Sequence, residues 1–133
     1  MSNKSKKILT EVSAGELLDK ISILEIKLAK VVDKKSLEEI KKEHTLLKEA
    51  LASNINLNDE ISDLFKSLKE VNLKLWSIED KLRIYEKEKN FSKNFIDLAR
   101  DVYITNDKRS IIKSEINKKL GSNINEIKQY VKY

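Results

Sequence analysis

Val12–Val32 reads VSAGELLDKISILEIKLAKVV, and its spacing decides the fold class. Ser13 followed three residues later by Glu16 is a capping box. In that arrangement the hydroxyl accepts from the Glu16 N–H and the carboxylate returns to the N–H of Ser13. Val12 before the cap and Leu17 inside the first turns can close a hydrophobic staple. From there Leu17, Ile21, Leu24, Leu28 and Val31 recur at steps of four, three, four and three, one continuous seam down a helix. Ile23 and Ile26 make a second apolar spot on the other side, beside Asp19 and Ser22. A helix apolar on two sides requires cover on two sides, from its own chain or from a second copy.

After this stretch the turn Asp33–Ser36 ends in another capping box, Ser36 with Glu39. It predicts a second helix over about 37–52 with the seam Leu37, Ile40, His44, Leu47 and Leu51. A connection this short makes the two helices an antiparallel hairpin. The asparagine-rich stretch Ser53–Asn58 reads as a loop. Ile61, Leu64, Leu68, Val71, Leu75, Ile78, Leu82 and Tyr85 then predict a long helix over about 59–89, whose extended seam suits a bundle or a coiled coil. Phe91 and Ser92 repeat the staple and cap before a fourth helix over 93–120. That helix reads as unbroken through Thr105–Asp107, because Leu98, Val102, Arg109, Ile112 and Ile116 keep one phase, and Gly121 is its left-handed stop. Beyond it, Ile124, Ile127, Tyr130 and Val131 predict a short last helix. The expectation is an all-α antiparallel bundle of two helical hairpins plus a short C-terminal helix. It forms one domain over 8–133, behind a flexible basic tail over 1–7.

Composition narrows the chemistry. The 133 residues include no cysteine, which excludes disulfides, a thiolate nucleophile and a Cys-ligated metal. One histidine builds no His-rich metal site, so no metal or cofactor is expected; His44 is read as a core residue paired with a helix 1 carboxylate such as Glu25. The net charge of +5 comes from lysines interleaved with Glu and Asp, a solvated surface rather than a nucleic-acid footprint. Apolar runs are too short to span a bilayer and Met1–Lys7 has no apolar segment behind it, so the expected setting is cytoplasmic. No phosphate loop or nucleophile motif occurs, and Gly15 reads as an ordinary first-turn residue.

One constellation stands out. Asn72, Trp76, Glu79 and Arg83 recur at four, three and four residues, a polar stripe beside the seam of the third helix. Antiparallel pairing sets it level with Asn106, Arg109 and Lys113 on the inner side of the fourth. Two facing helices thus turn polar at one height. Such a layer can be a hydrogen-bonded lock on helix register. It can equally be a pocket in which Arg109, Lys113 and Arg83 hold an anionic ligand, Trp76 supplies a wall, and Glu79 orients the ligand or accepts a proton.

The blocks Ser13–Lys27 (SAGELLDKISILEIK), Asn72–Arg83 (NLKLWSIEDKLR), Phe95–Asp107 (FIDLARDVYITND) and Lys113–Ser122 (KSEINKKLGS) together resemble the signature of a small bacterial family of unknown function. The resemblance runs from about Ile8 to Tyr133, and the expectation it implies is a complete protein rather than a fragment. It implies that the polar stripe and the Asn106–Lys113 segment belong to the family's pattern, and it carries no catalytic or ligand residue over. The leading expectation is a small non-enzymatic interaction protein. It is expected to form a homodimer through the second face of helix 1 or the exposed end of helix 3. The alternative is a binder of, or enzyme acting on, a small anionic metabolite such as a sugar phosphate.

Overall fold

The computed structural model describes residues 3–133 and contains four helices: α1 Ala14–Lys30, α2 Lys34–Asn54, α3 Asp59–Lys87 and α4 Lys93–Leu120. Met1 and Ser2 of the expected basic tail lie outside the described residues. The two hairpins form as expected, α1 with α2 and α3 with α4, and α1 packs against each of the other three helices. Leu17, Leu18 and Ile21 of α1 share one core cluster with Leu51, Ile61, Leu68 and Ile116, drawn from the other three. Each such side chain taken out of water contributes about 1.5–3 kcal/mol.

Both faces of α1 find cover within the chain. Leu17, Ile21 and Leu24 are buried on the seam, and Asp19, Ser22 and Ile26 are buried on the second face. On that second face Ile23, beside them, is only half-buried. His44 meets Glu25 as expected, its Nε2 3.4 Å from the carboxylate, and Lys69 donates to the same carboxylate at 3.1 Å. One acid of α1 thereby ties α2 and α3 together.

Helix ends follow their caps. Ser13 accepts from the Glu16 N–H at 3.1 Å, while the Glu16 carboxylate turns to Lys113 rather than back to Ser13. α2 begins at Lys34, not near residue 37, because Asp33 is the cap: its carboxylate accepts from both the N–H and the hydroxyl of Ser36, at 2.9 and 2.7 Å. Those two bonds hold the Asp33 carboxyl below its ordinary range. A full charge at a helix N-terminus outcompetes the neutral serine three residues on. Asn58 caps α3, whose 29 residues reach roughly 44 Å before Lys89 turns the chain at φ 54°. Ser92 takes the N-cap position of α4 without a side-chain bond.

α4 runs unbroken through Thr105–Asp107. Gly121 at φ 62° closes a Schellman motif, with Gly121 N–H donating to the Lys118 carbonyl and Ser122 N–H to that of Asn117. The short C-terminal helix does not form: residues 124–133 carry no helix, and Ile127, Tyr130 and Val131 stand exposed. Its apolar side meets no core, and a helix that short is marginal without one.

Candidate functional site

The second face of α1 carries Asp19 into the centre of the bundle, where it is 1% exposed. A carboxylate that deep survives only if paired and hydrogen-bonded. Arg109 of α4 meets it side-on, Nε donating to Oδ1 at 3.0 Å and Nη2 to Oδ2. Asn72 of α3 donates through Nδ2 to Asp19 Oδ1 and to Ser22 Oγ, each at 2.8 Å. Ser22 in turn donates to the Asp19 backbone carbonyl at 2.7 Å. Three helices thus meet on one acid, and the bond to Asp19 raises the Arg109 pKa further above its ordinary value.

One turn along α4, Lys113 donates to Glu16 at 2.8 Å and to Glu126 at 3.1 Å, with Asp19 3.8 Å away. Burial pushes the ammonium down, but the bonds to Glu16 and Glu126 and the Asp19 charge outweigh it, so its pKa is raised. Glu126 is held below its ordinary range by Lys113.

The start of α1 is clamped by the end of α4. Of the free N–H groups in its first turn, Ala14 donates to Ser122 Oγ at 2.9 Å, Gly15 to Asn117 Oδ1 at 2.7 Å and Glu16 to Ser13 Oγ. Gly15 proves to be more than a first-turn residue. A Cβ there would lie 2.6 Å from the Lys113 carbonyl oxygen and 2.9 Å from Asn117 Oδ1, so the two backbones approach only because position 15 has no side chain.

Beside this layer an open cleft of about 550 Å³ lies between α1, α3 and α4. Ile23 and Ile26 line its α1 side and Leu75 and Trp76 its α3 side, with Glu79, Asp80, Arg83, Asn106 and Arg109 among the remaining residues. Arg83 uses Nη1 alone, for the Glu79 carboxylate and the Glu79 carbonyl. Arg109 Nη1 reaches Asn106 Oδ1 only at 3.5 Å.

Of the seven residues the spacing singled out, the structure brings Asn72, Trp76, Glu79, Arg83, Asn106 and Arg109 onto this one cleft. Lys113 lies outside its lining, in the carboxylate cage near Asp19. In the sequence the hub itself, Asp19, stands out only as a neighbour of the second apolar spot. Its signal was an acid on a helix face that had to be covered. Among the described residues one buried side-chain oxygen lacks a hydrogen-bond partner, the Thr105 hydroxyl, one turn before Arg109. Among the described residues no group of acids or His is placed to hold a metal ion, and no helix is long and apolar enough to cross a membrane.

No curated protein and no solved structure matches the chain. A family model does, over residues 8–132, nearly the whole length on which this layer and cleft are built. The chain therefore belongs to the family of unknown function DUF6165.

Proposed function

We propose that the protein is a non-enzymatic binding protein that takes a small anionic metabolite, such as a phosphorylated or carboxylated sugar, in the cleft between α1, α3 and α4. The observation that carries this reading is the convergence of uncommitted donors on one apolar-walled opening. Arg83 keeps Nε and Nη2 beyond its bonds to Glu79, and beyond its fork on Asp19 Arg109 commits Nη1 only to a long 3.5 Å contact with Asn106 Oδ1. Both border the same cleft as the Asn106 amide and the Trp76 indole. An acceptor-rich group suits those donors, and a ring suits the indole. The ions beneath are tied in pairs that hold the helices, which favours retention of a ligand over turnover.

Native mass spectrometry of protein taken gently from a lysate tests this. The wild-type chain is expected to carry a bound small molecule that Arg83→Ala loses while keeping its helical content. Both proteins running at their own ligand-free masses would contradict it.

Self-association is a second reading, supported by a different feature. Near the turn joining α3 to α4, Ile84, Phe91 and Ile96 are each more than half exposed, and Phe91 packs edge-on against Phe95 at 5.2 Å. Sedimentation of the wild type against Ile84→Lys decides it: a dimer that the substitution dissociates supports the reading, and a wild-type monomer at high concentration removes it.

A further inference from the structure

We propose that residues 123–133 are a detachable strap, and that the Glu126 carboxylate stands on Lys113 in the place of an external phosphoryl or carboxylate group that competes for it. The proposal adds a regulatory element to the cleft reading and rests on it in one respect: Asn106 and Arg109 border both the cleft and the groove beneath the strap.

The strap leaves α4 at the left-handed Gly121 and forms no helix. It is pinned by Asn123 Nδ2 donating to the Glu11 carboxylate at 2.9 Å, by Glu126 on Lys113, by the Tyr133 hydroxyl donating to the Asp107 carboxylate, and by the edge-on contact of Tyr133 with Tyr103 at 5.2 Å. Between these pins Ile127 and Val131 are 86% and 91% exposed, so beyond Ile124 little apolar burial holds the segment down. Half-exposed ion pairs are weak ties, and a segment with few buried contacts opens without the rest of the fold. The groove beneath has a volume of about 840 Å³, with Val102, Tyr103, Asn106 and Arg109 among its α4 residues.

What the strap covers is asymmetric. Lys113 is only 11% exposed and Asp19 only 1%, whereas the Glu126 side chain is 50% exposed. The cationic side of this pairing is built into the bundle, and Glu126 is the one carboxylate that arrives on a loose segment. With Glu126 in place, three carboxylates (Asp19, Glu16 and Glu126) face Arg109 and Lys113; without it, two face two. The departing strap also leaves one donor of the three-donor ammonium unpaired. An incoming anion remakes the missing bond on the same ammonium and returns the count to three against two, which leaves no place for Glu126 as well, so strap and anion exclude each other.

Hydrogen exchange of the full chain, read by mass spectrometry in phosphate, in acetate and in chloride of matched ionic strength, tests the competition. The amides of 123–133 are expected to exchange several-fold faster in whichever of phosphate and acetate binds, and that arm names the group. In Glu126→Gln, an exposed change outside the core, the strap is expected to exchange fast in every salt. There the binding anion should slow acylation of Lys113 several-fold relative to Lys119 in the same molecule. Equal strap exchange in all three salts, or no protection of Lys113 in Glu126→Gln, overturns the proposal. Arg83→Ala separates the two readings, because it removes ligand from the cleft and leaves the strap's response to salt unchanged.

Discussion

Asp19 and Arg109 lie ninety positions apart in the chain and meet through two nitrogens of one guanidinium, over a carboxylate that is 1% exposed. This pair ties α4 to α1, since any slide of one helix along the other breaks the two-nitrogen fork on a buried carboxylate.

Removing one partner should therefore cost far more than removing both. Asp19→Asn takes the charged acceptor of the fork from a half-buried Arg109, with an expected loss of about 3–5 kcal/mol. The double variant Asp19→Asn/Arg109→Gln should lose markedly less than the sum of the singles, a coupling measurable in urea melts. Additive losses would mean that the pair does not hold the helices together.

Gly15→Ala sets helix propensity against space. Alanine favours the helix by up to about 1 kcal/mol. Its Cβ would meet the Lys113 carbonyl oxygen at 2.6 Å, a rigid backbone atom, so α1 and α4 must part. Overpacking of this kind costs about 1–3 kcal/mol, and steric conflict wins. A stabilised Gly15→Ala protein would show that the close crossing is wrong.

The Thr105 hydroxyl is buried without a partner. Thr105→Val keeps the shape and removes the orphaned group, so it should be neutral or stabilising by about 1 kcal/mol. A clear drop in the melting temperature would reveal a partner for that oxygen.

The Glu126–Lys113 contact has a defined pH window. Because Lys113 depresses the Glu126 pKa, its contribution is complete above the ordinary value of 4.5 and disappears as pH falls through the lower folded value. Lys113 is raised above 10.5, so its contribution is complete below that value and disappears only as pH rises through the folded one. Exchange protection of 123–133 should accordingly be constant near neutrality and fall on acidification below about pH 4.5. Protection that changes between pH 6 and 8 would assign the strap to another contact.

Much of this was legible in the sequence because α1 is locally decisive. Its two apolar sides had to be covered, and the steps Asn72–Trp76–Glu79–Arg83 could occupy only one stripe of a helix. The unbroken phase through Thr105–Asp107 and the stop at Gly121 are likewise local properties, and the structure has both. Other features depend on what arrives from far along the chain. Asp19 becomes a hub because Asn72 and Arg109 reach it from two other helices. Gly15 matters because the Lys113 carbonyl lies against it, and the last helix fails because nothing covers Ile127 and Val131. Asp33 displaced Ser36 as a cap for a nearer reason, the charge on its oxygen.

The emission of Trp76, the sole tryptophan, reads the cleft directly as small phosphorylated and carboxylated sugars are added. A saturable change for at least one of them, abolished in a folded Arg83→Ala protein, is the predicted result. Emission indifferent to every such anion, while neutral acrylamide quenches the indole freely, would contradict it.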